Sequence, residues 1–499
     1  MSVVSCPTCP PCQTYPPALN SISTEYHQRA PSSRLPNRQV KNSSNPVTWV
    51  GYTLASDAAD NLAVWVTIVK KTSTDAGRNF IDLFAGCGGF SLGMICAGWS
   101  GVFAVEKSPD AFATLRHNLV DGHELSGKMR FDWPTGVLDV GPHDIREIAS
   151  LPTLAGLRQK VDLVIGGPPC QGFSFLGKRS NKDPRNELFK EYLKVVDKLK
   201  PKFVLMENVR GIDVPFPPKN GTSSRPKSYA ARIKAALGQH GYVVEQGIIR
   251  ATDFGVPQYR PRYFTFGIRA ELLTPTLESA RFFERLSAHR ATFLSERDLG
   301  ATPITVSQAI SDLRTAHDRL IDNSEPGVPS GFKRVAYQRP RTKYQELMHR
   351  DAEDRPMNGA MDSMRLANHR CKTVERFREI QQNCEAGVQL SRKARLCFTH
   401  PTRKSSLTLL SGEKPSHTIT TLPDDLIHYS EPRIHTVREY ARLQSFPDWF
   451  QFRGKYTTGG ARRAFECPRY SQVGNAVPPL VAEAIGECLI EMLNEFSSK

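Results

Sequence analysis

The residues best placed to do chemistry sit where short apolar runs end. Residues 161–165 run into Gly166, Gly167, Pro168, Pro169 and Cys170, followed by Gln171, Gly172, Phe173 and Ser174. Two prolines fix the backbone of the turn and withhold its amide donors, so Cys170 is presented rigidly at the end of a strand. A cysteine that merely filled a core would need no such platform, and Cys170 reads as a nucleophile. The next apolar run, residues 203–207, delivers Glu207 at the equivalent end. A thiol and a carboxyl brought together suit nucleophilic addition assisted by proton transfer. In residues 258–262, QYRPR, Arg260 and Arg262 fall two apart on an extended segment and hence on one face. That pairing suits a carboxylate or a phosphate.

A second constellation points to a ligand. Residues 80–93, FIDLFAGCGGFSLG, place a strand, a glycine-rich turn and a helix start in succession, which lets the backbone approach a nucleotide-like group closely. About 20 residues on, a strand ends in Glu106, where an acidic side chain accepts hydrogen bonds from ribose hydroxyls. No Lys followed by Ser or Thr comes after the glycines, so the turn is not a phosphate-binding loop. A ligand with ribose and adenine but no pyrophosphate fits, and S-adenosylmethionine is such a ligand.

These positions need a scaffold that gathers strand ends. Residues 80–84, 102–106, 161–165, 203–207, 243–249 and 263–268 read as strands, and 90–97, 110–118, 187–199 and 230–237 as helices. The alternation predicts an α/β fold with a doubly wound, mostly parallel sheet, whose ligands bind at the carboxyl ends of the strands. After Arg269 the alternation fades into helical pieces, Pro and Gly breaks and clustered Arg and Lys, predicting a smaller inserted domain over 270–423. Helical patterns at 436–444 and 478–494 close the first domain. The expected organisation is thus a tail over 1–75, a catalytic and cofactor-binding domain over 76–269, the insert, and a completing segment over 424–499.

With 66 Lys and Arg against 50 Asp and Glu, the formal charge of the 499 residues is +16, which favours a polyanionic partner such as nucleic acid. The first 45 or so residues are rich in Pro, Ser and Asn and lack a hydrophobic period, as a disordered tail does. Within them Cys6, Cys9 and Cys12 have metal-like spacing but no fourth ligand, and no metal is expected. Eleven scattered cysteines and no charged-then-apolar amino terminus point to a cytoplasmic protein without a disulfide scaffold. No run is long enough to span a bilayer, so no membrane partner is expected.

DLFAGCGG, Glu106, GGPPCQGFS, ENV, QYRPR, TVREYARLQSFPD and QVGNAVPP occur in that order between Asp82 and Pro479, and in this the chain resembles the DNA cytosine C5 methyltransferases. PSHTITTLPDD, just ahead of TVREYARLQ, is similar to bacterial members of restriction and modification systems. The resemblance implies a Rossmann-like, S-adenosylmethionine-dependent methyltransferase fold with an inserted target recognition domain. It implies cofactor contacts from Asp82, Phe84, Ala85, Gly86, Gly88, Gly89, Glu106, Asp144, Ile145, Pro168, Asn475 and Val477. Phe84 would stack on adenine, Glu106 hold the ribose, and Asp144 with Ile145 meet the adenine edge, Asp139 being the alternative to Asp144. Cys170 would be the nucleophile and Glu207 would contact N3 and the amino group of cytosine. Arg260 and Arg262 would organise the flipped base and its phosphate, with Gln171, Ser174, Lys178, Arg179 and Gln258 touching DNA.

Lys182 and Arg185 extend the basic loop over 172–185, and duplex DNA is the expected substrate of a monomer whose cognate restriction endonuclease acts separately. In the insert, Lys333, Arg334, Arg339, Arg341, Lys343 and Arg350, and Arg392, Lys393, Arg395, Arg403 and Lys404, are the candidates for DNA contact. A nicotinamide-dependent oxidoreductase would use the glycine-rich turn but leaves PPC and ENV without a role. A tRNA-directed relative is the nearer alternative, against which QGFS and the long basic insert speak.

Overall fold

Six of the apolar runs form one sheet in the computed structural model, which describes residues 78–121, 131–169, 187–216, 227–273, 281–315, 320–325, 327–337, 339–350, 361–404, 406–460, 462 and 465–497. All of these lie in one of the two units into which the chain divides, Lys71–Lys499. In chain order the strands are β1 (Asn79–Leu83), β2 (Ser100–Val105), β3 (Leu163–Gly166), β4 (Phe203–Asn208), β5 (Tyr242–Arg250) and β6 (Pro261–Arg269). Their order across the sheet is β2-β1-β3-β4-β6-β5. β1 pairs in parallel with β2 and β3, and β3 with β4, as the alternating pattern predicts. β6 runs antiparallel to both β4 and β5, because the ten residues joining β5 to β6 are too few for a crossover.

The helices between the strands are α1 (Gly89–Cys96), α2 (Pro109–Leu119), α3 (Ile145–Ser150), α4 (Leu188–Leu199) and α5 (Tyr229–Gln239). Each begins for a local reason where a cap is available. Ser108 caps α2, with Pro109 in its first turn, and Ser228 caps α5. The sequence pattern has no helix at α3, since six residues are too few to show a period.

Side chains alternate across the sheet and build a core on each face. Ile81, Leu83, Phe103, Val105, Val164, Val204 and Met206 pack with α3, α4 and α5. Phe80, Ala104, Leu163, Ile165, Phe203, Leu205, Phe264 and Phe266 pack with α1, α2 and the helix Pro479–Ser497. That late helix lies tight on α1. A Cβ at Gly93 would sit 2.3 Å from the carbonyl of Pro479 and 2.4 Å from Ala482 Cβ, so only glycine permits the approach.

The expected boundary at 269 falls inside a shared core. Phe282 stacks on Phe266 at 4.5 Å between ring centroids. From the helix Phe282–Ser295, Arg285 pairs with Glu495 and His289 with Glu487; just beyond it, Arg297 pairs with Glu483. A distinct smaller core further on gathers Phe377, Ile380, Leu390, Phe398, Leu407, Leu409, Ile427 and Ile434. The helix Val437–Leu443 buries its charges. Arg442 lies between Asp312 and Asp448, and Arg433, just ahead of the helix, pairs with Glu439. The polar letters of TVREYARLQSFPD thus serve the architecture. Among the described residues, no helix is long and apolar enough to cross a membrane.

Candidate active site

The chain leaves β1 toward β2 on one side and returns to β3 on the other, and a crevice opens where the order reverses. A cavity of about 500 Å³ lies there. Its wall brings together Asp82, Phe84, Ala85, Gly86, Glu106, Asp144, Ile145, Pro168, Glu207, Asn475 and Val477. These residues are scattered over nearly 400 positions and meet because strand ends and the carboxyl-terminal segment converge.

The turn after β1 is shaped by left-handed backbone, with φ of 66° at Phe84 and 58° at Gly86. Gly86 N and Ser108 N donate to the two oxygens of Glu106 at 2.9 and 2.6 Å, which fixes the carboxylate over the turn. Burial raises the Glu106 carboxyl, against the pull of those amides. Asp82 is buried, and Ser91 Oγ donates to its Oδ2 at 2.5 Å. Burial pushes Asp82 up to about 7, opposed by Ser91 and reinforced by Glu106. Its Oδ1 is buried and meets no hydrogen-bond donor among the described residues.

Asp144 caps α3 by accepting from Arg146 N, and its carboxylate meets Lys107 at 2.8 Å and Arg146 at 3.1 Å. Burial works to raise this carboxyl, and the hydrogen bonds from Lys107 and Arg146 outweigh it and hold it below its ordinary value. Asp139, the alternative, is exposed and off the wall. On the other side of the cavity, Glu207 Oε1 receives Arg262 Nε at 2.9 Å, and Asn208 Nδ2 donates to the carbonyl of Pro168 at 3.1 Å. A Cβ at Gly167 would lie 3.4 Å from Glu207 Oε2. The double-proline turn and the Glu207 carboxylate are therefore neighbours, as the strand ends predict.

Several expected site residues stand elsewhere. Gly88 and Gly89 are not on the wall; a Cβ at Gly89 would meet the carbonyl of Val477 at 2.6 Å, so Gly89 serves packing, whereas Gly88 takes a φ of 93° that favours glycine. Arg260 does not share a task with Arg262. It is 2% exposed, and its guanidinium donates to the carbonyls of Gly474 and Ala476, each at 2.9 Å, and of Ile419 at 3.3 Å. It braces the backbone that carries Asn475 and Val477. Gln258 is wholly buried, donating to Leu443 O and Gln444 Oε1 and accepting from Ile419 N, which takes it out of any DNA surface. In the basic clusters, Arg334 and Arg395 are buried and Lys404 pairs with Asp424 and Asp425. Arg339, Arg341, Arg350, Arg392, Lys393 and Arg403 are exposed. Cys170, Gln171, Ser174, Lys178, Arg179, Lys182 and Arg185 lie outside the described residues, as do Cys6, Cys9 and Cys12.

Sequence reasoning missed Lys107, His143, Arg146, Leu188, Gln472 and Ala476 on the wall. Adjacency to Glu106, Asp144, Ile145 and Asn475 was the only signal available for four of them. Cys87 is also on the wall, but burial pushes its thiol up, away from the reactive thiolate.

A mostly parallel sheet with a cavity over its reversal point, a carboxylate held at the end of β2 and no phosphate loop defines a nucleoside-binding α/β enzyme with a second, carboxylate-bearing half to its pocket. The sequence profile of the C-5 cytosine-specific DNA methylases matches residues 78–491. Similar proteins include the type II methyltransferase M.DdeI of Desulfomicrobium norvegicum, 32% identical over 82% of this chain and 88% of that one. The type II methyltransferase M.XorII of Xanthomonas oryzae pv. oryzae is 31% identical over 84% and 86%. The crystal structure of a prophage-encoded E. coli protein described as a DNA modification methyltransferase shares the fold, with a TM-score of 0.55 at 24% identity over 84% of this chain and all of that one. The chain belongs to the C-5 cytosine-specific DNA methylase family and is a DNA (cytosine-5-)-methyltransferase.

Proposed function

We propose that the protein methylates C5 of a flipped cytosine within a specific duplex sequence, using S-adenosylmethionine and a covalent bond from Cys170 to C6. The observation that carries this reading is the shared cavity: Asp82, Phe84 and Glu106 occupy one part of its wall, and Glu207 with the double-proline turn another. The first part fits the cofactor. Glu106 offers acceptors to ribose hydroxyls, Phe84 offers a ring for adenine, and Oδ1 of Asp82, which meets no donor among the described residues, suits an ammonium. When bound, S-adenosylmethionine supplies an electrophilic methyl carbon on a sulfonium.

The chain's own residues do the rest. Cys170 adds to C6, because C5 of cytosine is a poor nucleophile until addition at C6 breaks the ring's conjugation and leaves C5 as the nucleophilic carbon of an enamine. Glu207, oriented by Arg262, holds a proton at N3 and so draws the electron pair that the addition releases. C5 then takes the methyl group, a base removes the C5 proton, and β-elimination returns the Cys170 thiolate. C6 is stacked within a duplex, so the base must leave the helix to be reached.

The small core around Phe377 and Ile380 is the framework on which we place target recognition, with the exposed arginines and Lys393 as phosphate contacts and Lys178 and Arg179, outside the described residues, as further DNA contacts. The type II names of the relatives support a host-protecting role in a restriction-modification system, for a cytoplasmic monomer whose endonuclease acts separately. Duplex DNA with 5-fluorocytosine at the target tests the mechanism, since fluorine cannot leave as a proton. With S-adenosylmethionine an adduct is expected that survives denaturing electrophoresis and maps to Cys170, and Cys170→Ala gives none. Normal turnover on the fluorinated target, or an adduct elsewhere, refutes the covalent route.

A further inference from the structure

A second cleft of about 670 Å³ lies apart from the cavity described above, and its wall carries Arg365, Arg376, Lys404 and Arg462. Asp424 is the one carboxylate among its described lining residues, and Lys404 already pairs with it at 2.6 Å. The cleft is therefore cationic.

Within this cleft, Arg365 is left unanswered by the described residues. It is 8% exposed, and among the described residues its guanidinium makes no hydrogen bond and no ion pair. The neighbouring Glu325 is committed elsewhere. It accepts from Tyr456 OH, from Arg469 Nη1 at 3.1 Å and from Ser363 N at 2.8 Å. Burying a guanidinium without an acceptor is unfavourable, and here two aromatic faces offset part of that. Its Cζ lies 4.0 Å from the ring centroid of Phe332 and 4.2 Å from that of Tyr456. Two rings restrict the planar fork while its place on the wall leaves it open to the cleft. A fixed fork matches a pair of coplanar acceptors, such as O6 and N7 of guanine or two phosphate oxygens.

The cleft is also tied to the first cavity. Tyr456, Thr457, Thr458, Gly459 and Arg462 line the cleft, and Cys467 of the same segment lines the first cavity. The five-residue step from Arg462 to Cys467 spans at most about 18 Å of chain, roughly five base-pair steps of 3.4 Å. A duplex whose flipped cytosine enters the first cavity is thus within reach of the second.

We propose that this cleft is a DNA subsite in which Arg365 donates a pair of hydrogen bonds to the recognised duplex a few base pairs from the methylated cytosine, with Arg376 and Arg462 beside neighbouring phosphates. The assignment rests on the methylation reading above and deepens it. The test uses the full chain with R365Q and R462Q, reading the methylated sequence, DNA affinity against salt, and cofactor affinity. R365Q is expected to weaken DNA binding at least tenfold with cofactor affinity unchanged. Relaxed preference at one base pair identifies a guanine edge as the acceptor; uniform weakening with a salt slope lower by about one identifies a phosphate. R462Q, at the exposed rim, is expected to lower the salt slope by about one. Wild-type sequence preference, affinity and slope in R365Q overturn the subsite; should R365Q not fold, an unchanged slope in R462Q does so. A wild-type protein that leaves duplex DNA unmethylated overturns the underlying reading instead.

Discussion

If Asp82 meets the cofactor's ammonium, as proposed above, cofactor binding should depend on pH in a direction set by the burial of this carboxyl. The carboxyl is pushed up to about 7 from an ordinary 3.8 by burial, with Ser91 opposing, and its Oδ1 has no donor among the described residues. A carboxyl raised in the folded state contributes stability that is complete below about 3.8 and is lost as pH rises through about 7, a swing of about 4 kcal/mol in the free protein. An ammonium placed at Oδ1 reverses the preference, because it binds the ionised carboxylate. If only the ionised form binds, affinity for S-adenosylmethionine should fall roughly fifteenfold from pH 7 to pH 5.5, or about 1.6 kcal/mol, while the ligand's α-ammonium stays charged. Calorimetry in two buffers of different ionisation enthalpy should register a proton released on binding near pH 6. Asp82→Asn should bind more weakly at pH 7 and show neither the slope nor the proton. A flat affinity over this range in the wild type, or the same slope in Asp82→Asn, would refute the argument.

Two further perturbations separate orientation from packing. Arg262→Ala removes the 2.9 Å partner of Glu207 and should lower kcat for methyl transfer by about 10–100-fold, with KM for the cofactor little changed; single-turnover kinetics at wild-type rate would count against Arg262 as the positioning group. Gly93→Ala forces a methyl group against Pro479 O and Ala482. It should cost roughly 1–3 kcal/mol, seen as a melting temperature lower by several degrees, and an unchanged melt would show that α1 and the helix Pro479–Ser497 adjust freely.

Local patterns were enough for the scaffold. Short apolar runs placed the six strands of the main sheet to within a few residues, and the rule that ligands bind at strand carboxyl ends set Glu106 and Glu207 beside the double-proline turn. These succeed because alternation, turn residues and strand polarity are properties of neighbouring residues. What failed was whatever depends on distant partners. Arg260 and Arg262 share a spacing and a motif, yet one buries its guanidinium against carbonyls from residues 419, 474 and 476 while the other orients Glu207. Gln258 reads as a surface amide and is wholly buried. Gly89 reads as a ligand contact and is a glycine because Val477 O lies where its Cβ would be. The antiparallel sense of β6 follows from a connection too short to cross over. Arg365 carries no motif at all; its lack of an acceptor among the described residues is a fact about three-dimensional surroundings. Sequence by itself determined which residues have the chemistry and which strand ends gather them, since both are written in short-range pattern. Tertiary structure alone decided which charges are spent inside the fold and which stay open to a ligand, because that is settled by partners hundreds of residues away.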